Sequence, residues 1–263
     1  MGDDILTRIV EHKIEEVKAA KSRLPQKRLV EKAMAAASRR SFLDKLSDSK
    51  RHGVNIIAEI KRASPSKGLI RDDLNAAEFG KKYEAGGAAA ISVLTDRDYF
   101  RGSCDDLVKA RQATSLPVLR KDFLISSYQI YESVVIGADA ILLIVRALAV
   151  QQLRDYLSLC DELRIDALVE VHSENEFETA ALAGARLIGV NNRDLDTFIT
   201  DIDTSIRLAA LFEEQHVGVA ESGIHCREDI EKIAAAGIHN FLIGESLVRA
   251  EDTEGFLRSL IAS

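Results

Sequence analysis

The chain has 263 residues, of which 46% are apolar and 29% charged, with no Trp. That length suits a single α/β barrel, which needs roughly 250 residues. The balance of 35 Lys and Arg against 42 Asp and Glu leaves a formal charge of -7, which argues against a nucleic-acid partner, because phosphate backbones reward clustered positive charge. A small anionic ligand stays open, since a local basic site can sit inside an acidic protein.

The opening "MGDDILTRIVEH" lacks the charged-then-apolar pattern of a leader. The longest apolar runs, such as "AILLIV", fall far short of the roughly 20 residues that cross a bilayer. Cys104, Cys160 and Cys226 are odd in number and have no C-x-x-C spacing. The expectation is free thiols in a reducing, cytoplasmic compartment and no membrane partner.

In chain order, Ile5, Ile9, Val10, Ile14 and Val17 recur with helical spacing, and Asp3 or Asp4 stands where a cap belongs. "SRLP" ends that helix. A second is predicted over 26–38 and a short third near "SFLDKL". Residues 1–50 are thus expected to form an N-terminal helical extension, and 51–263 one barrel. From Val54 the chain alternates: strands are predicted at 54–61, 88–95, 117–122, 138–145, 166–171, 186–191, 216–221 and 239–244, with helical patterns such as "NAAEFGKKYEAG" and "REDIEKIAAAG" between them. Eight strands alternating with helices imply a parallel sheet with right-handed crossovers, and eight is the number that closes a (β/α)8 TIM barrel.

An internal echo supports closure. "AGGAAAISVL", "IGADAILLIV", "AGARLIGVNN" and "AGIHNFLIGE" each place a glycine before a buried strand, and Gly87, Gly137, Gly184 and Gly237 lie roughly 50 residues apart. Glycine suits the left-handed position just past a helix, so each echo marks a helix-to-strand joint, on strands 2, 4, 6 and 8.

The charges sit where an apolar strand should not have them. In "IIAEIKRASPSKGLI", side chains alternate, so Ile56, Ala58 and Ile60 face the helices while Ile57, Glu59 and Lys61 face the barrel. "PVLRKDF" sends Lys121 inward, "IDALVEVH" Glu170 and "HVGVAES" Glu221. On alternate strands these groups share a layer at the C-terminal mouth, where barrel enzymes place their chemistry. Asn191 and Arg193 join from the sixth strand's exit. The rival reading is a structural ion network; it suits any single Glu–Lys pair, but Leu and Val would fill this layer at lower cost than three acids and two amines.

Phosphate is the expected anchor, bound by the loops after strands 7 and 8. They read "AESGIH" and "LIGESLVR": Gly223 and Gly244 admit backbone N–H groups, Glu245 follows, and "SPSKG" adds Ser64. The six histidines show no ligand spacing, His172 lies near the rim without an assigned role, and no metal site is expected.

Taken together, "IIAEIKRASPSKGLI", "ISVLTDRDYFRGS", "PVLRKDFLI", "ALVEVH", "IGVNNRDL", "AESGI" and "LIGESL" closely resemble the indole-3-glycerol-phosphate synthase family over nearly the whole chain. Arg101 in "YFRGS" and Ala220 before "ESGI" are small departures that remove no reacting group. The resemblance implies a monofunctional carboxy-lyase of tryptophan biosynthesis. It closes 1-(2-carboxyphenylamino)-1-deoxyribulose 5-phosphate to indole-3-glycerol phosphate with loss of carbon dioxide and water, without cofactor or metal. It also implies Glu59, Lys61, Lys121, Glu170, Asn191 and Ser222 as catalytic. Lys121 is then the general acid for the ketone oxygen; burial and Lys61 pull its pKa down, the glutamates push it up, and the sequence does not rank them. Glu170 stabilises the iminium-like nitrogen. Lys61 and Glu59 serve the dehydration. Asn191 and Ser222 orient Glu170 and Glu221, and Arg193 steers an anionic group. Phe123 and Leu142 either press on the aromatic ring or simply pack in the core. The alternatives are a phosphoribosylanthranilate isomerase-like barrel, or a barrel that binds a phosphosugar without chemistry. The chain is expected as a monomer or homodimer.

Overall fold

Eight parallel strands close on themselves in the computed structural model, which describes residues 5–36, 39–47, 53–194 and 197–262. They are β1 (Asn55–Ile60), β2 (Ala90–Leu94), β3 (Val118–Lys121), β4 (Ala140–Ile144), β5 (Asp166–Val171), β6 (Leu187–Asn191), β7 (Val217–Glu221) and β8 (Asn240–Ile243), and β8 pairs back with β1. Each falls within its predicted range. Three helices precede the barrel: α1 (Ile5–Arg23), α2 (Gln26–Met34) and α3 (Phe42–Ser47). The outer ring is α4 (Ala76–Gly86), α5 (Cys104–Ala113), α6 (Ser127–Val135), α7 (Val150–Leu163), α8 (Glu174–Leu182), α9 (Asp203–Ala209), α10 (Arg227–Ala235), α11 (Glu245–Arg249) and α12 (Thr253–Ile261).

Local signals account for the joints. The Asn75 side chain accepts from the N–H groups of Ala77 and Glu78 to start α4, and Ser126 with Gln129 forms a capping box at α6. Gly87, Gly137, Gly184 and Gly237 all have positive φ, from 86° to 111°, as the echo requires. Helix α2 stops at Met34, short of the predicted 38, where the Ala35 N–H turns back onto the Glu31 carbonyl and the Ala36 N–H onto that of Ala33.

Period-two alternation divides the core. Ile56, Ala58, Ile60, Ile91, Val93, Val169 and Ile188 pack outward against the helices, each Ile and Val contributing about 1.5–3 kcal/mol by leaving water. Inside the barrel, pairing register stacks three layers. Ile57, Leu119, Leu168 and Val219 form one, and Ser92, Leu142, Gly189 and Leu242 the next. Glu59, Lys121, Glu170 and Glu221 form the third, at the C-terminal mouth. The bottom is plugged by α3, whose Phe42 and Leu46 join the inner core. Asp166 accepts from the N–H groups of Phe42 and Leu43 at 2.8 and 2.9 Å, fixing that helix start.

The buried stripe of α1 differs from the predicted one. Leu6, Ile9, Lys13 and Val17 face inward, while Ile14 is 52% exposed. Lys13 takes the buried place because acceptors meet it there: Asp96 at 2.8 Å, Glu16 at 2.8 Å and Asp122 at 3.1 Å. The cap expected from Asp3 or Asp4 lies outside the described residues. Cys104, Cys160 and Cys226 are free thiols. Among the described residues no helix is long and apolar enough to cross a membrane.

Candidate active site

The mouth layer is built from the last inward positions of the odd-numbered strands. Lys121 sits at its centre, its Nζ 3.1 Å from Glu170 Oε2 and in close contact with Glu221 Oε2. Asn191, one strand along, donates from Nδ2 to Glu170 Oε1 at 3.2 Å, and its own Oδ1 accepts the Arg193 N–H at 3.0 Å. Lys61 does not share the layer. It lies just past the end of β1 and pairs with Glu59 Oε1 at 2.7 Å. Two residues apart on one strand face, the two groups occupy successive levels of the barrel. The mouth therefore carries two amine sets: Lys121 held by Glu170 and Glu221, and Lys61 held by Glu59.

Burial and charge set their protonation. Burial alone would lower Lys121, but the charges of Glu221, Glu170 and Glu59 outweigh it and raise its pKa above the ordinary lysine value. The amine is a standing proton donor. Burial also tends to raise Glu170, yet Lys121, His172 and the Asn191 hydrogen bond hold its pKa below 4.5. Glu221 goes the other way: burial, with the like charges of Glu170 and Glu59, pushes it up to about 7 against the pull of Lys121. Two buried carboxylates sharing one ammonium have split their roles, one kept ionised and one ready to hold a proton.

Glu59, Lys61, Lys121, Glu170, Asn191 and Glu221 all line one cleft, with about 1220 Å³ of empty space when solvent at its mouth is included. The same cleft takes in Ser64, Phe123, Leu142, Arg193, Ser222, Gly223, Gly244 and Glu245, so the fold brings together every site residue expected from the sequence. Details differ. Ser222 donates no hydrogen bond to Glu221, whose Oε1 has no hydrogen-bond partner among the described residues. Instead Ser222, at φ 66°, gives its carbonyl to Asn192 Nδ2 at 3.0 Å. Gly244 has an ordinary negative φ; it must be glycine because a Cβ there would stand 2.5 Å from Glu59 Oε1. Gly223 does have φ 75°, the left-handed region that glycine enters freely. The Glu245 carboxylate turns to Arg249 at 3.1 Å. Arg193 reaches across the cleft and donates to Ser66 Oγ at 2.7 Å.

Sequence reasoning left open whether the extension shields the mouth or makes a dimer contact, and named none of its residues as a roof. Ile5, Leu6 and Ile9 of α1 line the cleft, with Phe100 and Phe198; Phe100 packs on Phe123 with ring centroids 6.1 Å apart. The only signal in α1 was an apolar face without a stated partner. The fold also brings His12, Glu16 and Asp98 together, a grouping the histidine spacing did not suggest. His12 pairs with Asp98 and Glu16 with Lys13, which accounts for the trio without a metal.

Gly189 was likewise read only as a strand residue. A Cβ at this position would overlap Glu221 Oε1, well inside van der Waals contact distance, and lie 3.2 Å from Leu168 Cδ1. The missing side chain makes the room that Glu221 occupies. Gly189→Ala is expected to push that carboxylate off Lys121 and to lower kcat by roughly a hundredfold, the scale of a 1 Å misplacement. Steady-state kinetics beside a melting curve checks this; parental turnover would mean that Glu221 relocates harmlessly.

Fold and cleft define a (β/α)8-barrel enzyme with acid–base groups at its C-terminal mouth. The solved structures of a thiamine phosphate pyrophosphorylase from Pyrococcus furiosus and an (S)-3-O-geranylgeranylglyceryl phosphate synthase from Thermoplasma acidophilum share that fold. They match at TM-scores of 0.59 and 0.59, with 14% and 15% identity, covering 80% and 84% of this chain and 95% and 97% of theirs. The family model for indole-3-glycerol phosphate synthase matches residues 6–260. Proteins of that name from Desulfosudis oleivorans and Syntrophobacter fumaroxidans are 58% and 52% identical to this chain, covering 99% of it and 99% and 98% of themselves. The chain belongs to the indole-3-glycerol phosphate synthase family.

Proposed function

We propose that this cleft converts 1-(2-carboxyphenylamino)-1-deoxyribulose 5-phosphate to indole-3-glycerol phosphate, carbon dioxide and water, with the residues acting as follows. The observation that carries the reading is the pair of separate amine–carboxylate sets facing one cleft, because the reaction needs two proton deliveries at different steps.

In the first step the ring carbon bearing the carboxylate attacks the ketone carbon. A carbon–carbon bond forms, and the carbonyl electrons move to oxygen, which takes a proton from Lys121. The pKa raised by its glutamate neighbours keeps that proton in place until an oxyanion develops to claim it. The aniline nitrogen becomes iminium-like, and Glu170, held ionised, faces that charge. The carboxylate carbon leaves as carbon dioxide, its bonding electrons flowing through the ring to the nitrogen. This internal electron sink supplies what a cofactor would otherwise provide. In the last step the new hydroxyl departs with a proton from Lys61, and a carboxylate at the mouth, Glu59 in this assignment, takes the proton whose loss completes the indole.

The substrate's phosphate is assigned to the loops after β7 and β8, where Gly223 and Gly244 border the cleft beside Ser64. Arg193 meets an anionic group from the opposite side, and Phe100, Phe123 and Leu142 offer the apolar wall for the aromatic ring. Residues 1–50 serve as an extension of a single catalytic barrel over 51–263. An isomerase acting on the precursor sugar needs one acid and one base, and would leave one amine set without work.

Incubating the protein with the carboxyphenylamino-deoxyribulose phosphate and following indole fluorescence tests the reading. Turnover that disappears in Glu59→Gln, with the melting temperature little changed, is the expected result. A large melting loss with unchanged turnover would return Glu59 and Lys61 to a purely structural ion pair.

A further inference from the structure

Glu170 is gripped from the cleft side by Lys121 and Asn191, and it is also approached from behind. His172, two residues on, has a side chain only 8% exposed and does not border the cleft. Its Nε2 points at Glu170 Oε1 at 3.5 Å, an ion-pair approach, and has no hydrogen-bond partner among the described residues. Its Nδ1 lies 3.2 Å from Glu176 Oε2, and the same oxygen accepts the His172 backbone N–H at 2.8 Å. Glu176 is itself fixed at the start of α8, where its N–H donates to Ser173 Oγ, and Arg146 stands 3.6 Å from its other oxygen. A continuous chain of charged groups thus runs from the rim to the centre: Arg146, Glu176, His172, Glu170, Lys121.

We propose that His172 is a positioning residue of this active site, an imidazole clamped by Glu176 that orients the Glu170 carboxylate toward the cleft. The inference rests on Glu170 facing the reacting nitrogen, as assigned above. The geometry gives the imidazole a carboxylate at each nitrogen, and only the doubly protonated ring can satisfy both, since a neutral ring would turn a lone pair toward one of them. Burial lowers the His172 pKa, and Arg146 lowers it too, but the Glu176 hydrogen bond and the charges of Glu170 and Glu176 outweigh them and raise it above 6.5. The charged or polar groups facing the ring and its partner are Glu170 from β5, Lys121 from β3, Asn191 from β6, Arg146 after β4 and Glu176 from α8. Lys121 and His172 itself are the cations that hold Glu170 ionised. The role is invisible in sequence because it depends on α8 returning Glu176 to the strand's end.

Rates across pH for the parent, His172→Gln, Glu176→Gln and Glu170→Gln test this. His172→Gln is expected to lower kcat by roughly ten- to a hundredfold through misorientation, with KM within about twofold of the parent. The acid limb of its kcat profile should move to higher pH, because Glu170 without the imidazolium takes up its proton more readily. Glu176→Gln should shift the same limb in the same direction by less, and it keeps the test available should His172→Gln fold poorly. A kcat loss with an unmoved acid limb in both variants would assign His172 a packing role and overturn the inference. Parental turnover in Glu170→Gln would overturn the assignment of Glu170, and the inference with it.

Discussion

Lys121→Met is expected to lower kcat by roughly 10²–10⁴-fold, the range for loss of a positioned general acid, while its stability becomes strongly dependent on pH. Met keeps the length of the side chain and removes the ammonium that Glu170 and Glu221 share. Breaking a buried ion pair by deleting one partner costs about 3–5 kcal/mol when the other stays charged. Here one partner can escape that cost, because Glu221 already has its pKa pushed up to about 7 with the cation present. Without Lys121 it rises further. A carboxyl whose folded pKa exceeds its unfolded value contributes stability that is complete below the unfolded pKa and lost as pH climbs through the folded one. Glu170 adds to the same trend: its pKa is depressed in the parent, so the parent gains stability above the ordinary glutamate range that the variant gives up. The melting deficit of the variant should therefore be smaller at about pH 5.5 than at about pH 8. Melting curves at both pH values, with single-turnover measurement of ring closure, check the two halves separately. Parental ring closure would remove Lys121 from the acid's role, and a deficit independent of pH would show that Glu221 never takes the proton.

Much of this was legible because strand alternation is strict. Glu59 and Lys61 interrupt an apolar face at intervals of two, and Lys121, Glu170 and Glu221 hold the last inward positions of equivalent strands, so the inward layer follows from period-two counting once the barrel closes. The four helix-ending glycines were readable for a similar reason: a left-handed joint tolerates few other residues. Gly189 and Gly244 are different. Neither has a positive φ, and what forbids a side chain is a glutamate on another strand, Glu221 or Glu59, a fact of register rather than of local chemistry. His172 and Glu176 meet only because α8 folds back on β5. Helix α1 is the clearest case. Helical spacing showed that it has an apolar face, yet the true inward stripe contains Lys13 in place of Ile14. A buried lysine goes where its carboxylates are, and those arrive from the loops after β2 and β3.

That lysine carries the second large effect. Lys13 is 3% exposed and joins α1 to Asp96 and Asp122, which are themselves 1% and 4% exposed. Burial lowers its pKa, but Asp122 and Asp96 outweigh that and raise it above the ordinary lysine value, so it remains a cation in its pocket. Asp122 keeps Arg120 and Thr95 as partners, and Asp96 keeps the Tyr99 N–H; neither then has a cation binding it to α1. Lys13→Met should cost about 3–5 kcal/mol near neutral pH, a fall in Tm of about 10 °C for a chain of this size. Burial raises Asp122, yet Arg120, Lys13 and Thr95 hold its pKa below 3.8. A depressed carboxylate stabilises above its unfolded pKa and loses that contribution as pH falls through the folded one. The variant's deficit should accordingly be full at neutral pH and narrow in acid. Because Ile5, Leu6 and Ile9 roof the cleft, a loosened α1 should also raise KM several-fold while kcat at saturation changes less, since Lys121 and Lys61 are carried by the barrel and not by α1. Denaturant midpoints measured against pH, with KM and kcat determined separately, distinguish these effects. Equal midpoints for parent and variant near neutral pH would mean that the apolar face of α1 alone holds it to the barrel, and that the buried Lys13 pairs contribute nothing to that attachment.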